Sequence, residues 1–173
     1  MAGTGSINRE QSNMLKHAIA GALLSASMMA ATPLAAKNIT ADVEQIAELL
    51  QSEGYQAKLQ GEGEERHIKT GMAGYSYLIL PFDCDSKGED CKSVQFYAAF
   101  TAENKPTLEE MNSYAAENRF GRIYLDSDRD PVIEMDIDLE AGGMSPELFM
   151  DNLAYWEAIM VSFAEFSFSK DEE

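Results

Sequence analysis

The stretch Arg122-Ile-Tyr-Leu-Asp-Ser-Asp-Arg-Asp-Pro-Val-Ile-Glu-Met-Asp-Ile-Asp-Leu139 decides the fold class. Ile133, Met135, Ile137 and Leu139 alternate with Glu134, Asp136 and Asp138. That period of two belongs to a strand burying one face and wetting the other. Residues 122–126 read as its partner strand, and Ser127-Asp-Arg-Asp-Pro131 as the turn between them. The pair is an antiparallel hairpin with an acidic outer face.

A helix precedes this hairpin. Thr107 opens it, and Glu110 three residues on completes a capping box. Leu108, Met111, Tyr114 and Ala115 lie on one face, and the helix stops near residues 118–121. Before it come four strand-like runs at 55–59, 66–70, 75–82 and 93–100. A polar turn at 60–65 and another bracketed by Gly71 and Gly74 separate the first three, and Pro81 marks an edge or a bulge. Ahead of the strands, Thr40 is the expected helix cap with Ile39 as staple; Val43, Ile46, Ala47, Leu49 and Leu50 recur at helical spacing up to Gly54. Ser145-Pro146-Glu147 starts a long final helix. The order α-ββββ-α-ββ-α predicts an α+β fold: an antiparallel sheet with helices packed on one face, in a single domain over residues 37–173.

The final helix carries two apolar stripes. Phe149, Leu153, Trp156, Met160 and Phe163 form one; Leu148, Tyr155, Ile159 and Phe166 form the other, about a quarter turn away. A helix packed on one side needs a single stripe. The surplus reads either as a helix sunk deeply in its own core or as a partner surface, with a homodimer as one arrangement of it.

Residues 1–36 read as an N-terminal extension and cleavable signal peptide. From Met14, Lys16 supplies the basic start, residues 18–31 carry no charge, and Leu34-Ala35-Ala36 is a small-residue exit, placing the cut after Ala36. The polar residues 1–13 leave both Met1 and Met14 open as starts. A spanning helix needs a longer and greasier run. The expected mature protein is therefore periplasmic or secreted, without stable membrane insertion.

The chain has 13 basic and 30 acidic residues. Removing residues 1–36 takes away Arg9, Lys16 and Glu10 and leaves a net charge of −18. Such a surface repels phosphate backbones and anionic lipid heads, which excludes nucleic acid and disfavours peripheral membrane binding. It suits solubility, a basic partner or a role in holding another protein.

Cys84 and Cys91 flank the Gly-containing turn Asp85-Ser-Lys-Gly-Glu-Asp90. In an exported chain an even pair so placed reads as a disulfide stapling the turn, worth roughly 2 kcal/mol for so short a loop. A redox pair would be closer together, and a zinc site would need more donors than His67 offers. Asp83, Asp85, Glu89 and Asp90 lack the alternating pattern and terminal Glu of a calcium loop. No phosphate loop, nucleophile elbow or His-Glu-x-x-His stretch occurs. No catalytic residue, cofactor or metal is expected, and the chain is not expected to be an enzyme. His67 reads as a surface histidine, and the acids of the hairpin as a solvated face where nothing separates their pKa values.

Taken together, Cys84…Cys91-Lys-Ser-Val-Gln-Phe96, Lys105-Pro-Thr-Leu108, Asn118-Arg-Phe-Gly-Arg-Ile-Tyr-Leu-Asp126 and Asp130-Pro-Val-Ile-Glu-Met-Asp136 resemble the YbjN-like family over residues 38–166. Those proteins are described as bacterial sensory-transduction regulators. The resemblance implies a fold similar to type III secretion chaperones, small acidic α+β proteins that dimerise and hold polypeptides, and brings no catalytic residues. Arg119 and Arg122 read as cross-strand partners of Glu134, Asp136 or Asp126, or else as a binding spot on an acidic surface. The expected function is thus an exported binding, chaperone-like or regulatory module that holds a protein or peptide. Its candidate surface is Arg119, Arg122, Leu148, Tyr155, Ile159 and Phe166. A hydrolase with a site at His67 or the acidic hairpin, and a cation-binding envelope protein, are the alternatives.

Overall fold

A computed structural model describes residues 37–169 and 171. The expected signal segment, its cut after Ala36 and both candidate starts lie outside the described residues. Three helices, α1 (Val43–Ser52), α2 (Leu108–Glu117) and α3 (Pro146–Phe168), accompany six strands. These are β1 (Lys58–Gln60), β2 (His67–Met72), β3 (Tyr75–Phe82), β4 (Ser93–Ala99), β5 (Arg122–Leu125) and β6 (Pro131–Asp138). They form one antiparallel sheet ordered β1-β2-β3-β4-β6-β5. The α+β class and the order α-ββββ-α-ββ-α are as expected.

The meander closes through short local turns. Ala73 and Gly74, at φ 51° and 88°, join β2 to β3 by a two-residue turn whose left-handed conformation suits the twist of the strands. After α2 the chain returns by β5, yet β6 is the strand that pairs with β4. Four-residue β5 is thereby left at the edge, where a short strand exposes few unpaired backbone groups. Pairing of β2 with β3 ends at Ile68–Ile79, so Pro81 has only β4 beside it and behaves as an edge proline.

One face of the sheet carries the core. Phe149, Leu153, Trp156, Met160 and Phe163 of α3 are all fully buried. The Phe96 ring lies 6.1 Å from Phe149 and 5.7 Å from Trp156, and Tyr77 lies 5.7 Å from Trp156. Ile46 and Leu50 of α1 and Met111 of α2 join the same cluster.

Three local readings need correction. The N-cap of α1 is Asp42, whose side chain accepts from the Gln45 N–H at 3.0 Å. Thr40 instead gives its hydroxyl and N–H to the Gln45 side chain, and Ile39 is tied to Met144 by a β-bridge. The first strand begins only at Lys58, because Tyr55 is drawn toward α3. On α2 only Met111 is buried and Tyr114 half-buried; Leu108 is 63% exposed, since the helix touches the core along a narrow line.

The hydroxyls of Tyr55 and Tyr77 donate to Glu157 of α3 at 3.1 and 3.0 Å. Glu157 is 6% exposed and makes no ion pair among the described residues. Burial raises its carboxyl above the usual range, outweighing the two hydroxyls that favour the charged form. A carboxyl whose folded pKa exceeds its unfolded value lowers stability at neutral pH, and that cost fades as pH falls through the folded pKa toward the ordinary 4.5. Glu157→Gln is therefore expected to raise the unfolding free energy at neutral pH, with the advantage shrinking on acidification. Urea unfolding of both proteins across this pH window checks it; a variant less stable at neutral pH would show that the hydroxyl bonds dominate.

Candidate functional site

The sheet face opposite the core holds the acidic row of β6. Arg122 stands opposite Glu134 in the β5–β6 register. Its guanidinium donates to Glu134 Oε2, while the Tyr124 hydroxyl donates to Oε1 at 2.7 Å. Burial, and then the bond to Glu134, push the Tyr124 hydroxyl up to about 12. Glu134 is thus not on a solvated face as its place in the alternation implies. It is 4% exposed, because β6 is an interior strand and two long β5 side chains close over the carboxylate. Asp136 accepts from Gln95 Nε2 at 2.8 Å, and Asp138 from the Glu140 N–H at 3.0 Å. The acids of this hairpin are engaged in structural bonds.

Arg119 and Arg122, three residues apart, are sent to different places. Arg122 belongs to the clamp just described. Arg119 lies in the turn leaving α2, with its guanidinium 4.8 Å from the Phe120 ring centre, and forms no ion pair among the described residues. Phe120 adopts φ 74°, a left-handed conformation that costs a non-glycine residue roughly 1–2 kcal/mol. Gly121 follows, and a Cβ there would lie 2.9 Å from Ile133 Cδ1 and 3.3 Å from Ile159 Cδ1. The chain is therefore pressed onto the core at Gly121, and the Phe120 ring is thrown outside.

That ring lands on α3, 5.1 Å from Tyr155. Phe120 is 54%, Tyr155 49% and Leu148 51% exposed. Leu148 and Tyr155, seven residues apart, share a helix face. The other two residues of the outer stripe are covered: Ile159 is half-buried beside Gly121, and the Phe166 ring lies 4.6 Å from Tyr114 of α2. Helix lengths explain the division. Ten residues of α2 span about 15 Å and the 23 of α3 about 35 Å, so α2 shelters only the C-terminal half of the stripe. The strip Phe120–Tyr155–Leu148, with Arg119 beside it, stays open. Phe120 is not among the surface residues expected from the sequence, although it lies in the Asn118–Asp126 stretch that carries the family resemblance.

Cys84 and Cys91 form the expected disulfide. Asp85 organises their loop, accepting from the N–H groups of Lys87 and Glu89 at 2.8 and 2.9 Å, and these bonds hold its carboxyl below the usual range. The same bonds turn the carboxylate onto its own loop. His67 Nδ1 sits 2.8 Å from the Glu65 carbonyl oxygen. Among the described residues no three His, Cys, Asp or Glu are placed to hold a metal ion, and no helix is long and apolar enough to cross a membrane.

The sequence profile of the YbjN family, described as "Putative bacterial sensory transduction regulator", matches residues 42–168, from the cap of α1 to the end of α3. The chain belongs to that family. The description names a regulator and no catalytic activity. No curated protein and no solved structure matches the chain.

The clamp reading of Arg122 has a thermodynamic signature. Removing the guanidinium leaves a buried carboxylate short of a partner, so Arg122→Ala is expected to cost about 1–3 kcal/mol. In a double-mutant cycle with Glu134→Ala, the coupling should be at least about 1 kcal/mol in denaturant unfolding. Additive losses would mean that Arg122 is not a structural partner.

Proposed function

We propose that this YbjN-family chain is an exported, non-catalytic regulatory module that holds a protein or peptide partner on the open strip of α3. The observation that carries the reading is Phe120. Its left-handed backbone makes the reversal into β5, but its ring is left half in water on an equally exposed tyrosine, outside the core. Aromatic residues with an adjacent arginine are the side chains that dominate binding energy at protein interfaces. Export is supported by the charge-free run at residues 18–31 and the small-residue exit at Ala36.

The test separates holding from folding. Glycine adopts the left-handed region freely, so Phe120→Gly should change stability by no more than about 1 kcal/mol. Tagged wild type, Phe120→Gly and Tyr155→Ser are captured from the native envelope after mild crosslinking and compared by quantitative mass spectrometry. A partner recovered with the wild type should fall about tenfold in both variants, as expected when an interface anchor worth 1.4 kcal/mol or more is removed. Equal recovery with all three would place the partner elsewhere. Recovery of crosslinked homodimer alone, lost in the variants, would identify a second copy as the occupant.

A further inference from the structure

At the opposite edge of the sheet, β2 outruns β1. Lys69 is the last β2 residue with a β1 partner, Lys58, while β2 continues to Met72. The chain before Lys58 is drawn away by α1, whose Gln51 Nε2 donates to the Ala57 carbonyl at 2.8 Å. Where a longer β1 would have run, a cleft of about 790 Å³ remains between residues 53–56 and the β2–β3 hairpin. That size is within the usual range for small-ligand pockets, about 300–1,000 Å³.

Two features set this cleft apart. Lys58 and Lys69 stand directly opposite each other, an arrangement of like charges that destabilises a strand pair. Neither makes an ion pair among the described residues. Glu53 is the only carboxylate residue on the lining, in a chain with 30 acidic residues and 13 basic ones. A second cleft of similar size, about 770 Å³ beside the disulfide loop, is lined by six acidic residues and three basic ones.

The strand alternation brings these groups together. Lys58 and Lys69 belong to the open face of the sheet, Met72 and Tyr75 to the core side, and all line the cleft because it wraps around an uncovered edge. Gly71, between Thr70 and Met72, keeps the wall thin: a Cβ there would lie 2.4 Å from the Tyr75 carbonyl oxygen. Tyr55, Met72 and Tyr75 add apolar surface.

We infer that this cleft binds a small organic oxyanion, a carboxylate or phosphate ester, with its charged end between Lys58 and Lys69 and its apolar body against Tyr55 and Tyr75. An anion there relieves the lysine pair. Local attraction suffices despite the overall negative charge, because distant carboxylates are screened beyond about 8 Å at physiological salt. The site is separate from the open strip of α3, and its occupancy does not depend on the partner-holding reading.

Amide NMR titration of the mature protein with phenyl phosphate, and separately with benzoate, tests the inference. Saturable shifts confined to residues 53–60 and 69–76 are expected with at least one probe. Lys58→Gln/Lys69→Gln should weaken binding by about tenfold or more. No saturable shift with either probe, shifts as strong around Lys87 and Lys92, or affinity unchanged in the lysine double variant would each overturn the site.

Discussion

The packing of Trp156 between Phe96 and Tyr77 is the contact on which the rest of this structure depends. It seats the long helix on the middle of the sheet, at strands that are themselves interior, and so fixes the rotation of α3 about its axis. Once Trp156 points at the sheet, Phe149, Leu153, Met160 and Phe163 are carried into the core with it, and Leu148 and Tyr155 are carried out of it. Glu157, next in sequence, is turned toward Tyr55 and Tyr77 and sealed from water. Among the described residues the buried indole N–H has no hydrogen-bond partner, so the stability of this contact comes from apolar area and ring packing.

Much of this architecture was legible in local sequence because it rests on local rules. The alternation around Glu134 assigns faces correctly, Thr107 and Glu110 make the capping box, and Ser145 and Pro146 open α3 as caps and first-turn prolines do. What escaped is set by contacts distant in sequence. Alternation tells which way Glu134 points, but not that β6 is interior or that Arg122 and Tyr124 will close over it. Thr40 and Asp42 are both acceptable caps, and the choice falls to the Gln45 side chain, which occupies one and leaves its N–H to the other.

The candidate surface was half legible for the same reason. The surplus stripe of α3 is visible as a pattern, whereas its division into a covered and an open half depends on where a shorter helix comes to rest. Arg119 and Arg122 look equivalent in the sequence, yet the backbone reversal at Phe120 and Gly121 places one over an aromatic ring and the other on a strand. The sealing of Glu157 likewise depends on side chains distant in sequence, Tyr55 from the α1–β1 connection and Tyr77 from β3.

The disulfide has a further consequence for how the molecule is made. With two cysteines the chain admits a single intramolecular pairing, and the two are seven positions apart in a turn that Asp85 organises by itself. Oxidation therefore needs neither the sheet nor the helices to be in place, and no scrambled isomer exists for a shuffling catalyst to correct. Assembly of the sheet, whose β4–β6 pairing must wait for α2 and β5 to be laid down, is chemically uncoupled from the formation of that bond.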